Sequence, residues 1–547
     1  MDDVVRALPE ASVQETSFER DALTENDDNA RRQQSPQQAT EQDEAAPSPA
    51  ENSPQPWYGS ISRQESQSSG HCQHGPSKLT TSAGSSTARA LAPDLLRGLL
   101  MVLIALDHNT YALKPWELET AIGGETDNGE VHRWNRPVAY VIRSLSHLCA
   151  AGFIFLLGMG IVYFGRSRRA LGWSKGGMAW HFFTRALVLT LVCVPLGLVL
   201  SLGRVWFMNI VLFALAVDYL LAGLLWLLIS STEESLAFGL LKVLPDTKKD
   251  DASEPLLADR TGEEDIAPDR KIIRASDISW HFHNVILLVL AVVTIWWNLW
   301  LSPTGGHCTA AAMGPPRGNW FRVWFYPFFA GGFVSAYPPL AWVSFAILGL
   351  LYGRVVLARP WTKTVLAVGN LMAALSFLLF FVLTRVLQFG NLSKDCLRMP
   401  EHEASPNANP YLLSWMSFFY IVKSPPDIAF WSFGIGFSIL LLAFFGALPT
   451  FVAMTLLNPL LVFGNSALFF YITHLVLLLA TRLIWLPRFG REKGWTDPQT
   501  GDHVVGIDSQ WVYWVNWVLV LAVLYPLGIG YGAFKKRKTP DSLWRFF

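Results

Sequence analysis

A guanidinium and an imidazole on one apolar stretch carry the first chemical signal. In DLLRGLLMVLIALDH, residues 94–108, Arg97 stands near one end and Asp107 and His108 at the other, with only apolar residues and Gly98 between. At ~100° per residue the step from Arg97 to His108 returns to nearly the same helical face, ~16 Å along the axis, about half a hydrocarbon core. Asp94 lies one turn before Arg97 and can pair with it, whereas the adjacent Asp107 and His108 diverge by ~100° and do not pair with each other. Such groups inside an apolar helix are costly unless something uses them. An imidazole is suited to general acid–base work near neutral pH or to carrying an acyl group transiently.

Further polar groups enter other apolar stretches. Tyr140, Arg143 and His147 fall at steps of three and four, hence on one stripe, followed by the small residues Ala150, Ala151, Gly158 and Gly160. The functional reading is a second imidazole with oxyanion donors; the bland one is a packing helix with a hydrogen-bonded histidine. Arg385 closes another stretch, and Lys423 precedes Pro425 and Pro426. Either can snorkel to headgroups or turn inward toward His108 and His147. Tyr471 and His474, one turn apart, make a helix–helix hydrogen bond or join the site. Asp218 stands alone and calls for a partner. At the other helix ends Arg97, Arg166, Arg169 and Arg185 could hold phosphates, or serve topology and anionic lipid alone.

The elements that must position these groups are membrane helices. The chain is 51 % hydrophobic and 16 % charged, and its apolar residues gather into runs of about 20, long enough to cross a bilayer. We expect an all-α polytopic integral membrane protein of about ten spans: 95–113, 137–165, 180–201, 206–230, 281–301, 337–357, 362–388, 427–448, 464–486 and 511–533. A half-span over 449–463 would make eleven. Residues 1–88 are polar and Pro-rich and predict a disordered cytosolic tail without a signal peptide. The membrane domain covers 89–538, with a flexible cytosolic loop at 231–280, and 539–547 form a short cytosolic tail. Lys and Arg after spans two, four, six and ten place both termini in the cytosol; Arg488, Arg491 and Lys493 are the exception.

Three larger connections, 114–136, 302–336 and 389–426, fall on the opposite side. The last holds the single sequon, Asn391-Leu392-Ser393, a glycosylation candidate. Cys308 and Cys396 lie in two of these connections and either pair or stay free thiols. The five Cys show no metal spacing, and His71, Cys72 and His74 fall in the polar tail, so no metal is expected. Zero net charge offers no field for nucleic acid. The tail and sequon suggest a eukaryotic endomembrane (vacuole- or lysosome-like, endoplasmic reticulum or Golgi) or the plasma membrane.

Several segments, taken in order, resemble one family. DLLRGLLMVLIALDH, LSHLCAAGFIFLLG, AYPPLAWVSFAILGLLYGR, TRVLQFG, VKSPPDIAF and VFGNSALFFYITHLVLL are similar to successive motifs of the heparan-alpha-glucosaminide N-acetyltransferase catalytic-domain-like family, within the transmembrane acyltransferase superfamily, over about 93–534. Ala151, Ala341 and Ala467 stand where the family has Pro. The resemblance implies transfer of an acyl group, acetyl above all, from cytosolic acyl-CoA to an amine or hydroxyl of an acceptor across the membrane, a sugar being the implied class. It implies His108 as the catalytic imidazole, Arg97 on the acyl-CoA side, and site roles for His147, Lys423 and His474. Asp107 joins the catalytic candidates; Arg166, Arg169 and Arg185 join the acyl-CoA side; Tyr140, Arg143 and Arg385 join the oxyanion or substrate candidates.

Two rival readings stay open. Intramembrane His, Arg and Asp also mark the path of a secondary transporter, although no internal repeat of the spans is evident. A catalytically silent scaffold would use the tail and loop for docking, with the bilayer and a second copy of the chain as partners.

Overall fold

The computed structural model describes residues 91–122, 124–245, 270–309, 318–496, 503–538 and 544. The tail at 1–88, with His71, Cys72 and His74, lies outside them, as do the middle of the 231–280 loop and all of 539–547 except Trp544.

The chain is an all-α polytopic membrane protein. Its helices are α1 (Leu91–Leu113), α2 (Pro137–Ala170), α3 (Lys175–Leu200), α4 (Leu212–Val243), α5 (Arg270–Leu301), the short α6 (Asn319–Phe325), α7 (Pro339–Val356), α8 (Lys363–Val386), the short α9 (Pro400–Glu403) and α10 (Trp415–Phe419), α11 (Ile428–Ala447), α12 (Thr450–Thr455), α13 (Asn458–Asn465), α14 (Ala467–Phe489) and α15 (Gln510–Lys536). Among the described residues nine helices are long and apolar enough to cross a membrane. The tenth long helix, α1, falls short of that apolarity because Asp94, Arg97, Asp107, His108 and Asn109 interrupt it.

Local chemistry sets the helix starts. Pro occupies the first turn of α2 and α7, where its missing N–H is not needed. Ser174, Thr362 and Asp427 cap α3, α8 and α11 by accepting the amides of Gly177, Val365 and Phe430. The anticipated half-span is α12 and α13, broken at Leu456-Leu457 just before Pro459.

Packing divides the helices into centre and rim. The apolar stretches of α2, α7 and α11 are 72 % buried, that of α8 only 17 %, so the first three form the hub and α8 faces outward. Small residues let the hub helices touch: a Cβ on Gly158 would sit 2.0 Å from the Ala346 carbonyl oxygen. The same device joins α1 to α13, where a Cβ on Gly98 would lie 1.9 Å from the Leu460 oxygen.

The loop 231–280 is not flexible throughout, as expected from its polarity. Helix α4 continues to Val243 and α5 begins at Arg270. Glu233 anchors that extension: its Oε2 accepts Arg354 Nη2 at 2.8 Å, while Arg354 Nε donates to Asn284 Oδ1 at 2.8 Å. An acid that reads as solvated is buried because α7 supplies its counter-charge.

The larger connections are stitched into one layer, here called the loop face. It contains the hairpin β1 (Ala121–Ile122) with β2 (Arg133–Trp134), and a three-stranded sheet in which β3 (Phe207–Asn209) runs parallel to β5 (Phe333–Ser335), itself antiparallel to β4 (Phe328–Ala330). A disulfide joins Cys308 to Cys396. Val131 N donates to Cys396 O at 2.8 Å, and Lys423 N to Glu125 O at 2.9 Å. The antiparallel pair β6 (Gly490–Thr496) and β7 (His503–Ile507) explains one exception in the charge pattern. Lys493 Nζ donates to the carbonyls of Pro115 and Ile507 and pairs with Asp508, so it is a structural tie.

Candidate active site

Helix α1 presents its two adjacent polar residues to different neighbours. Asp107 turns toward α2, where Arg143 Nη1 donates to its Oδ2 at 3.1 Å. His108 turns toward α14, where its Nδ1 lies 2.8 Å from His474 Nε2, the two rings stacked with centroids 5.1 Å apart. Tyr111 and Tyr471 approach the His108 ring edge-on. The divergence expected from helix geometry is what separates an ion-pair network from a histidine pair.

Hydrogen-bond logic assigns the tautomers of the pair. His474 Nδ1 lies 3.0 Å from Phe470 O, which only accepts, so that nitrogen carries the proton. With both rings neutral, His474 Nε2 must then accept, and His108 Nδ1 must donate to it. The remaining atom, His108 Nε2, presents a lone pair. It has no partner among the described residues and is not sealed; the residue keeps 8 % exposure. The ring faces inward, with that unprotonated nitrogen accessible.

Beside it lies a network built on Glu125, from the loop after α1. Arg143 donates to Glu125 Oε2 through Nε at 3.1 Å and Nη2 at 3.0 Å. His147 Nε2 donates to the same oxygen at 3.0 Å, and Thr120 donates to Oε1 from its amide at 3.0 Å and hydroxyl at 2.9 Å. Burial works to raise the Glu125 carboxyl; Arg143 first, then His147, override it and hold it well below the ordinary carboxylate range. Glu119, on the same loop, has no such support. Burial first, then the Glu125 charge, push it up to about 7.

Lys423 completes the site. The 420–427 segment, tied to Glu125 through the Lys423 amide, brings the ammonium in over the face of Tyr337, 5.1 Å from the ring centroid. Its ammonium makes no hydrogen bond or ion pair with the described residues, and burial, then Arg143, lower its pKa. Lys423 and Arg143 are the cations that act on His108. Lys423 therefore has uncommitted donors to offer, whereas each nitrogen of Arg143 already faces a carboxylate.

Several sequence candidates are redirected. Arg143 turns all three nitrogens to the carboxylates of Asp107 and Glu125, the place of a positioning group and not of an oxyanion donor. The Tyr140 hydroxyl donates to Met416 O at 2.7 Å, away from the histidines, and is structural. His147 Nε2 is engaged by Glu125, and Nδ1 is sealed without a partner among the described residues, so this ring is closed to substrate. Arg385 is fully buried against Asn391, Phe381 and Tyr411, outside the histidine site. Asn391 is no glycan acceptor: it is wholly buried, and its Nδ2 donates to Thr384 O at 3.0 Å and Phe389 O at 3.2 Å. Asp218 is fully buried, and neither of its oxygens finds a partner among the described residues.

The four arginines of the opposite end do not form one cradle. Arg97 Nη1 donates to Asp94 at 3.1 Å and to Gly464 O at 3.4 Å, binding α1 to α13. Arg166 donates to Leu357 O, and Arg169 pairs with Glu234 at 3.0 Å while covering Trp226. Arg185 packs over Tyr219 and is the eleventh residue of α3, ~15 Å from its start, so it is not at a helix end. Among the described residues no cluster of His, Cys, Asp or Glu has the makings of a metal site.

No family model matches the chain, and no curated protein is significantly similar to it. The site must therefore be read from its own geometry. Sequence reasoning missed Glu125, Glu119 and Tyr337. Glu125 sits in the polar run GGETDNGE, which reads as a solvated loop, and nothing local marks it as the partner of two α2 side chains. Tyr111 had a signal: it follows His108 by three residues, on the same helical face.

Proposed function

We propose that the chain is a membrane-embedded acyltransferase that moves an acyl group, acetyl above all, from acyl-CoA to an amine or hydroxyl of an acceptor, a sugar being the favoured class. The observation that carries this reading is the tautomer-fixed histidine pair: an unprotonated His108 Nε2 held accessible within the electrostatic reach of the uncommitted ammonium of Lys423. The ordered motif resemblance over 93–534 supports it. The positive-inside pattern supports termini, and acyl-CoA, on the cytosolic side.

In this mechanism His108 Nε2 takes the proton of the acceptor N–H or O–H as the nucleophile attacks the thioester carbonyl. Lys423 donates to the oxygen that becomes negative. Collapse breaks the C–S bond, and the departing CoA thiolate takes the proton back from His108 as CoA thiol. His474 keeps the His108 ring in the required tautomer throughout, and Tyr111 and Tyr471 fix its plane. Asp107, Arg143, Glu125 and His147 hold α1, α2 and the Lys423 segment in register.

The test is transfer by purified protein from acetyl-CoA labelled on the acetyl group to a panel of amine- and hydroxyl-bearing sugars. His108→Ala is expected to lose ~10²–10⁴-fold of the rate. Undiminished transfer by that variant removes the base from the mechanism. An absence of acetyl-CoA consumption by folded wild-type protein removes the enzyme reading and leaves transport or scaffolding.

A further inference from the structure

A groove opens on the loop face between two turns, lined by no residue of the histidine site. The first turn leaves α3. Ser201 Oγ donates to Gly197 O at 2.7 Å and accepts the Val205 amide at 2.7 Å, while Leu202 and Gly203 take left-handed backbone, φ 54° and 89°. The second is Gly331-Gly332, both at positive φ, which closes the β4–β5 hairpin beyond the Ala330–Phe333 pair. The Trp206 amide donates to Gly332 O at 3.0 Å and ties the two turns together. The space between them measures about 740 Å³.

The side chains that line it are apolar except for Ser201 and Arg204, and no acid is among them. The Ser201 hydroxyl is spent inside its own turn. Arg204 is exposed and makes no hydrogen bond or ion pair with the described residues. The surroundings place this cation at the edge of the bilayer. Residues 201–211 alone join α3 to α4, so the groove stays close to where those helices leave the apolar layer. Trp206, Phe329 and Leu202 flank it with half or more of their surface exposed, as interfacial anchors do. On α3, Leu191 and Leu198 are exposed two turns apart on one face, and Ser201 follows one turn later. From Leu191 to Ser201 is ~15 Å, the apolar depth of one leaflet.

We propose that this groove binds one glycerophospholipid of the loop-face leaflet, with its phosphodiester on Arg204 and an acyl chain along Leu198 and Leu191. The match is of charge and of length: a single fixed cation meets a single phosphate anion, and the apolar track spans one leaflet. A soluble sugar or peptide uses the cation but leaves the α3 track bare. One wall of the groove is β5, whose Ser335 Oγ accepts Asn209 Nδ2 at 2.9 Å; the same nitrogen donates to Tyr337 O at 2.7 Å. The lipid therefore braces the strand that leads to Tyr337, beneath the Lys423 ammonium. Binding is independent of acyl transfer.

The test is native mass spectrometry of the full-length protein in detergent, titrated with dioleoylphosphatidylglycerol. Dioleoylglycerol and inorganic phosphate serve as competitors that carry only the tails or only the anion. One lipid is expected to bind the wild type saturably, roughly tenfold more weakly to Arg204→Gln, and without change to Arg359→Gln, which removes an exposed arginine beyond the far end of α7. Cryo-electron microscopy of the wild type in phosphatidylglycerol nanodiscs should show a tail against Leu198 and phosphate density at Arg204, a readout that needs no variant. Equal affinity of wild type and Arg204→Gln overturns the proposal. So does displacement of the lipid by dioleoylglycerol as effectively as by phosphatidylglycerol, or by millimolar phosphate alone.

Discussion

Replacing Glu125 by Gln isolates the charge that holds the site together. The substitution keeps shape and removes one of two negative partners of the buried Arg143. Its amide NH2 must replace either Oε1, which faces the Thr120 amide and hydroxyl, or Oε2, which faces Arg143 and His147. Whichever way it turns, donors meet donors. Breaking one side of a buried ion pair costs about 3–5 kcal/mol; Asp107, still 3.1 Å from Arg143, keeps the effect near the lower bound. With ~2.1 cal/mol/K of unfolding entropy per residue over roughly 400 residues, ~3 kcal/mol lowers the melting temperature by ~4 °C. Tryptophan fluorescence of detergent-purified protein, heated at pH 7.5, reads this directly. Because the folded Glu125 pKa is depressed, its contribution is complete above the unfolded value of 4.5 and fades only as pH falls through the lower folded value. Glu125 itself therefore adds no pH dependence to the deficit from pH 6 to 8; any slope there comes from Glu119, whose carboxyl the Glu125 charge helps to raise. A Glu125→Gln protein that is folded and melts within one degree of wild type would refute the reasoning, since Arg143 would then not need its second carboxylate.

Glu119 should behave in the opposite sense. With its carboxyl raised to about 7, the folded state holds a proton that the unfolded state releases near 4.5, so stability falls as pH rises between those values. Glu119→Gln should flatten the slope of melting temperature against pH over 4.5 to 7, and an unchanged slope counts against the assignment. Asn391 should carry no glycan in protein from a glycosylating host: peptide N-glycosidase should leave gel mobility unchanged, whereas Asn391→Gln should still lower the melting temperature by breaking its bonds to Arg385, Thr384 and Phe389. A mobility shift on deglycosylation would show that the burial does not hold in the cell.

Much of the architecture was legible because a bilayer imposes a length. Apolar runs of about 20 residues gave ten spans, each matched by a long helix, and the half-span anticipated over 449–463 is there as α12 and α13. The site was legible only where one helix carried the signal. His108 and His474 each stood out as an imidazole in an apolar helix, but their contact joins residues 366 positions apart and no periodicity announces it. Arg143, Tyr140 and Arg385 had the right chemistry on the right helices; Glu125, Met416 and Asn391, from the connections between the long helices, decided their roles. Glu125 shows the limit most clearly. Its sequence surroundings are those of a solvated turn, and only the stitching of three connections buries it.

The histidine pair ends on the carbonyl of Phe470, and that ending has a consequence for energetics. A carbonyl can receive a hydrogen bond but cannot keep the proton, so the wire running from His108 through His474 is a blind alley. A proton picked up at Nε2 must leave by the same atom. Turnover built on this pair moves no net charge between compartments through it, and its rate should be indifferent to membrane voltage.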